Sequence, residues 1–563
     1  MSDWLGQAAR IKDLCQRLRP FLGKQADQLF SAYLAEDKDG RDQLERYLEI
    51  LFAEKLGTRQ LDSISPLVPP EPQDVSGTYE LGTVIYGKHE IGTFGLRESE
   101  WIQHVGVFGR TGAGKTNVGY LIVQQLQKHG KPFLVFDWKR NYRDLLALPE
   151  FQNIEIYTIG RPTSPLTFNP LIPPPGTPPK TWLKKIIEVI AHSYMLGNGV
   201  LYLLQESVDE VYEKFGLYTG RVNGYPTIRD VLEVAKSRES RGREAGWLSS
   251  TLRALSSLCF GDMDRLINLG DNHDLDLLLE KPVILELDAL TQSDKVFFIQ
   301  ALLLWIHHRR MSQGEREKFR HAVLIEEAHH VLSGERRSLI GGQSIMEFTF
   351  REIREFGESL IILDQHPSQI SLPALGNTYT TICLNLKHSR DVSAMGQAML
   401  LDTGERDILG NLLVGQAVVK LQGRATKPFL ITVPEFPIKK GMFTDQQVIQ
   451  RMVGKVRVPS AFVQIEDSSR GAFSSSEDSF FHSESPMPLE RAEFSGLGRF
   501  RESISLELAF LRDVKNEPDS GVAGRYKRLG ISVRQGQKLK ARMVEQGFIS
   551  DTLQTTPTGT KRF

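Results

Sequence analysis

Three regimes of apolar and polar positions divide the chain. In residues 1–56 apolar side chains recur at helical spacing, through Leu14, Leu18, Phe30, Tyr33, Leu34, Leu44, Tyr47 and Leu51, which predicts a helical N-terminal region. Residues 57–76, with Pro66, Pro69, Pro70 and Pro72, read as a linker. From 81 to 96, alternation and glycines predict a hairpin. Beyond it, short runs that are apolar throughout alternate with helical segments. The runs are 104–108, 133–137, 154–158, 282–287, 321–326, 359–364, 380–385 and 415–421, with 429–433 returning antiparallel. Strands buried on both faces read this way, so the pattern predicts an α/β fold with a mostly parallel sheet over 77–440. Residues 180–262 read as a helical insertion between two strands. Residues 459–488 are crowded with serines and poor in aliphatics, the composition of a flexible tether, and a compact unit is expected over 491–563.

Chemistry enters at Gly109-Arg110-Thr111-Gly112-Ala113-Gly114-Lys115-Thr116, which fits G-x-x-x-x-G-K-[ST]. A predicted strand precedes it and a predicted helix opens after it, the context a phosphate-binding loop needs. Glycines let successive N–H groups curl round a phosphate, and the helix N-terminus adds partial positive charge. Lys115 is expected at the β- and γ-phosphates, and the Thr116 hydroxyl on Mg²⁺. Gly109, Thr111, Gly112, Ala113, Gly114 and Asn117 complete the expected nucleotide-binding set, together with Asp137 at the end of the next strand. The motif predicts a protein that binds ATP or GTP.

A second apolar strand, Val323-Leu324-Ile325, ends in two acids, Glu326 and Glu327. A parallel sheet carries such carboxylates to the edge where the glycine loop lies. Glu326 is assigned to the Mg²⁺ shell and Glu327 to orienting and activating the attacking water. A third strand ends at Asp364-Gln365-His366-Pro367, placing Gln365 beside the γ-phosphate.

Taken in order, the glycine loop, Phe136-Asp137, Asn169-Pro170-Leu171, Ile325-Glu326-Glu327-Ala328-His329, and Arg354-Glu355-Phe356-Gly357 through Gln365-His366-Pro367 resemble the HerA branch of the HerA–FtsK ATPases over roughly residues 80–436. The resemblance implies a RecA-like core that assembles as a ring, typically a hexamer. It implies ATP hydrolysis at subunit interfaces, movement of double-stranded DNA through the pore, and a partner nuclease or other effector. One departure stands out: the archetype begins with a β-barrel, and here the first 56 residues read as helices. A ring also needs a cation reaching the γ-phosphate from the neighbouring subunit. Arg354, at the family's Arg-x-x-Gly position, is the favoured candidate, and Arg390 is the other.

The end of the chain resembles a winged helix-turn-helix: a helix over 504–515, a turn, a second helix, Leu529-Gly530-Ile531-Ser532, a helix over 533–546, Gly547-Phe548-Ile549 and a wing over 552–560. From Arg525 to Arg542 there are seven basic residues and no acid, the local charge a recognition helix needs.

Bulk composition narrows the picture. With 69 basic and 69 acidic residues no global field draws the chain to nucleic acid, so any DNA-binding surface is local. Three cysteines, far apart, argue against a disulfide framework or a zinc site and suit a reducing cytoplasm. No signal peptide and no membrane span are read. The expectation is a cytoplasmic, ring-forming, Mg²⁺-dependent ATPase that translocates double-stranded DNA. Its rivals are a regulatory NTPase switch that gates an effector and a conjugation- or secretion-type motor. Break repair, phage defence and plasmid processing all fit such a motor.

Overall fold

The computed structural model describes residues 2–56, 67–222, 224–333, 345–425 and 427–455, and in the C-terminal part 510, 513–514, 522–529 and 533–545. The serine-rich segment 459–488, residues 57–66 of the linker, most of the expected helix 504–515, residues 530–532 and the wing at 552–560 lie outside them. The chain divides into two compact units, Met1–Phe473 and Ser474–Phe563.

Among the described residues of the first unit eleven strands form one sheet. They are β1 (Tyr79–Tyr86), β2 (His89–Leu96), β3 (Val105–Phe108), β4 (Phe133–Asp137), β5 (Glu155–Thr158), β6 (Pro282–Glu286), β7 (His321–Glu326), β8 (Glu358–Asp364), β9 (Thr380–Cys383), β10 (Gln416–Leu421) and β11 (Phe429–Thr432). Their spatial order is β2-β1-β11-β10-β9-β3-β8-β7-β4-β6-β5. The seven strands from β9 to β5 run parallel, and β3, β4, β7 and β8 are buried at every position. That burial is why they read as unbroken apolar runs. The sequence reading put the first reversal at 429–433, but β10 already pairs antiparallel with β9. Between them the chain forms only the short helices Ser389–Ala398 and Ile408–Asn411 and no crossover strand, so it re-enters the sheet from the edge it left.

Five helices spanning 179–267 lie between β5 and β6 in sequence. The helix Gln292–Gln313 runs beneath them and is buried almost throughout. A helix packed on all sides carries no polar stripe, which explains the long apolar stretch there. The helices Ser2–Leu22, Lys24–Ala35 and Lys38–Leu56 enclose a small core of their own, with Leu14, Leu18, Tyr33, Leu48 and Phe52, and Tyr86 of β1 joins it. Leu34 and Tyr47, counted as part of the apolar stripe, are exposed at 45% and 50%. No described helix is long and apolar enough to cross a membrane.

In the second unit the helices Val522–Arg528 and Val533–Glu545 share a core of Phe510, Val514, Tyr526, Leu539 and Met543. Arg525 is fully buried and donates to Asp513, and Arg528 pairs with the same carboxylate. Two of the seven basic residues therefore brace this unit.

A buried charge cluster joins the sheet to the central helix. Glu358, at the start of β8, accepts from Arg310 Nε and lies 2.7 Å from His321 Nδ1, all three being buried. Burial alone would raise the Glu358 carboxyl, but His321 and Arg310 overcome it and hold the group down at about 2. Its stabilisation is therefore complete above the ordinary glutamate value of 4.5 and lost as pH falls through about 2. Glu358→Leu strands the Arg310 charge and is expected to cost about 3–5 kcal/mol. Thermal melts at pH 7 should show this as a large fall in midpoint that narrows below pH 4.5.

Candidate functional site

The site forms where β3, β8, β7 and β4 end side by side. β8 lies between the strand feeding the glycine loop and the strand carrying the two acids. Gly112 and Gly114 take φ values of +78° and +108°, which lets the loop curl before the helix Lys115–Lys128 begins. Lys115 Nζ donates to the carbonyls of Gly109 at 2.7 Å and Arg110 at 3.2 Å. Burial pulls its ammonium below the usual range, partly offset by Glu327 and Asp364. Thr111 Oγ1 donates to Gln365 Oε1 at 2.8 Å, tying the loop to the end of β8.

Glu326 ends β7 and stands beside Asp137 at the end of β4. Both carboxyls are buried, and burial followed by mutual repulsion raises Glu326 well above the usual carboxylate range. Asn141 Nδ2 lies 3.4 Å from both Glu326 oxygens. Asp137 is also raised by burial, although its carboxylate accepts the backbone N–H groups of Lys139, Asn141 and Tyr142. Those bonds shape the turn after β4. Asp137 does not line the cleft, so its geometry is that of a turn cap.

Glu327 leaves the strand in the left-handed region, at φ 50° and ψ 45°. A non-glycine residue held there is strained, and the strain aims its side chain away from the strand. Lys139 Nζ meets Glu327 Oε1 at 2.8 Å, while Glu327 Oε2 is buried and has no hydrogen-bond partner among the described residues. Behind the acids, Asp364 accepts the backbone N–H of His329 and of His366, each at 2.6 Å, and pairs with His329 Nδ1 at 2.9 Å. Burial opposes charge on His329, but Asp364 more than offsets it and raises the imidazole.

A cleft of about 460 Å³ opens at these strand ends. Thr111, Gly112, Gly114, Lys115, Thr116, Asn117, Glu326, Glu327 and Gln365 all face it, as do Tyr120, Lys139 and Asn141. One wall is a strap at 435–440 that sequence reasoning missed. Asn117 fastens it, its amide donating to the Pro434 carbonyl and accepting from Phe436 N–H. Asp144 caps its far end through the N–H groups of Gly441, Met442 and Phe443. Lys139 and Asn141 were also missed. The available signal was their position just past a strand-ending acid. Arg354 is not in this cleft: its turn, Ile353–Phe356, precedes β8 and so lies at the opposite edge of the sheet. Arg390 is exposed on the helix after β9 and does not line the cleft either.

The donor set fits a metal–nucleotide complex: a curled amide loop, a lysine at its base, a hydroxyl at Thr116 and paired acids facing them. Residues 79–304 match the family described as the central domain of helicase HerA. The DNA double-strand break repair helicase HerA of Sulfolobus acidocaldarius is 24% identical over 382 residues, 63% of this chain and 72% of the relative. That of Sulfurisphaera tokodaii is 24% identical over 369 residues, 61% and 69% of the two chains. Over these residues the chain is similar to the HerA-type P-loop ATPases. Among solved structures, VirB4 of Thermoanaerobacter pseudethanolicus aligns with a TM-score of 0.49 at 16% identity, covering 64% of this chain and 96% of that one. The plasmid coupling protein TrwB in complex with ADP and Mg²⁺ aligns with a TM-score of 0.45 at 11% identity, covering 62% and 89%.

In this site the raised Glu326 keeps a proton in the fold that the unfolded chain gives up. Stability therefore falls as pH rises above the ordinary glutamate value of 4.5. Glu326→Gln removes that dependence. Without nucleotide it should melt higher than the parent protein at pH 8, and the gap should close towards pH 5. A gap independent of pH would place the burial cost on another group.

Proposed function

We propose that this ATPase is a ring-shaped, Mg²⁺-dependent motor, a hexamer by family resemblance, that moves double-stranded DNA and serves a nuclease or other effector. The observation that carries the reading is the composition of the cleft. It gathers a P-loop lysine, a metal-side acid, a second acid on a strained turn and a polar group at the end of β8, yet among the described residues no arginine lines it. The bound nucleotide and metal supply the electrophilic phosphoryl group and the charge that neutralises it. Within the chain, Lys115 and the loop amides hold phosphate oxygens, and Thr116 and Glu326 face the metal side. Glu327 orients and activates water, and Gln365, linked to Thr111, reports occupancy of the γ position to the end of β8. Phosphoryl transfer is hastened by an arginine supplied across an interface, and Arg354, remote from its own cleft, is the residue assigned to that role. The helix Val533–Glu545 is the proposed nucleic-acid contact of the second unit. The names of the HerA relatives support duplex DNA as the track.

The deciding experiment measures ATP hydrolysis with and without linear duplex DNA, alongside the mass of the particle in solution. A translocase should respond severalfold on a ring-sized assembly. A ring indifferent to DNA would instead favour a switch that gates a bound effector. Glu327→Gln should retain ATP binding and lose about 10²-fold or more in turnover.

Arg354→Ala is expected to leave nucleotide binding intact while turnover falls by about 10³-fold. Mixing it with Glu327→Gln subunits should restore part of the activity, since some interfaces then pair an intact glutamate with an intact arginine. Unchanged turnover in Arg354→Ala alone would remove it from the mechanism.

A further inference from the structure

The ion pair between Lys139 and Glu327 plays no part in the mechanism above, and its construction is unusual. The Lys139 backbone is fixed. Asp137 accepts its N–H at 3.1 Å, and the N–H groups of Asn141 and Tyr142 at 3.0 and 2.8 Å. Just before it, Trp138 is buried between the Lys295 ammonium, 5.0 Å from the ring, and the His330 ring, stacked at 5.2 Å. From this fixed base the Lys139 side chain, 61% exposed, reaches the cleft and meets Glu327, which is 13% exposed. The salt bridge to Lys139 engages one Glu327 oxygen, and the other has no hydrogen-bond partner among the described residues.

We propose that Lys139 is a positioning residue that latches the Glu327 carboxylate while the γ-phosphate position is empty and moves to the γ-phosphate when it is filled. The proposal rests on reading Glu327 as the residue that orients water. The lysine end of the pair is largely exposed and screened by water, so a neighbouring group of higher charge can take the lysine. A terminal phosphate carries more negative charge than a carboxylate and offers three acceptor oxygens. Lys139 lines the same cleft as Lys115 and Thr116. Its departure leaves Glu327 held only by the strained turn at φ 50°, with Oε1, the oxygen Lys139 had engaged, free to accept from water. ADP has no γ-phosphate and leaves the latch closed. The pair would thereby make the readiness of Glu327 depend on which nucleotide is bound.

Equilibrium binding of ADP and of a non-hydrolysable ATP analogue tests this without turnover. Lys139→Met should weaken the analogue by about tenfold, the worth of one charge-assisted hydrogen bond, and leave ADP within about twofold. Unchanged ADP binding also certifies the fold, and Lys139→Arg should restore most of the loss. The signature of competition comes from Glu327→Gln, which releases the lysine in advance. It should bind the analogue more tightly than the parent protein but ADP equally, and the gain should vanish in the double variant Glu327→Gln/Lys139→Met. Equal binding of the analogue by Lys139→Met and the parent, or a gain that persists without Lys139, would overturn the latch. Failure of the underlying reading is separate, since Glu327→Gln would then hydrolyse ATP at the parent rate whatever the binding ratios show.

Discussion

The parallel register of β3, β8, β7 and β4 is the constraint on which the rest depends. Phe108 pairs with Asp364, Leu363 with Glu326, and Phe136 with Ile325, so four strands deliver their last residues to one line. No loop has to be long for the site to assemble. Gln365, Glu327 and Lys139 each lie within two residues of a buried strand's end, and the glycine loop follows β3 directly. Because β8 stands in the middle, a disturbance at either neighbour is passed to it directly. The Thr111–Gln365 bond lies on one side and the His329–Asp364 bonds on the other.

The same register forces acids together where water is scarce. Asp137, Glu286, Glu326 and Asp364 all lie at strand ends and all are buried. Each is handled differently. Glu286 is paired by Arg143 and Arg161. Asp364 and Asp137 accept backbone N–H groups, which hold a carboxylate without adding a charge. Glu326 has the distant Asn141 amide and the Trp138 backbone N–H, and these do not outweigh its burial. The least compensated carboxylate is thus the one facing the metal side of the cleft, where a divalent cation would relieve it. A charge left costly in the empty protein is a charge available for binding.

Much of this could be read in the residues. Fully apolar strands such as Val323-Leu324-Ile325 announce a covered parallel sheet, and the glycine loop announces phosphate chemistry, because few sequences serve those tasks. What could not be read depends on spatial order. That β10 turns back beside β9 follows from where its connection runs, not from its composition. The strap at 435–440 is some 300 residues from Asn117 in sequence, the residue that fastens it, and nothing local marks it as a cleft wall. Asp137 looked like a ligand because strand-ending acids often are. Its three N–H bonds show that the turn claims it first.

The cations of the cleft suggest how hydrolysis could be made conditional. Lys115, Lys139 and Lys440 line it, and each is a flexible point charge. Lys115 is engaged by loop carbonyls and Lys139 by Glu327, so in the empty protein both are already bonded to the chain itself. None offers the planar, bidentate fork that matches phosphate oxygens. Among the described residues, a cleft so equipped can hold a nucleotide yet lacks one element of fast phosphoryl transfer. With Arg354 at the opposite edge of the sheet, a head-to-tail arrangement would bring that edge of one copy to the cleft of the next, and such heterologous contacts close into rings. Turnover would then be a property of the interface, sensitive to anything that shifts one subunit against another, including a duplex held at the centre.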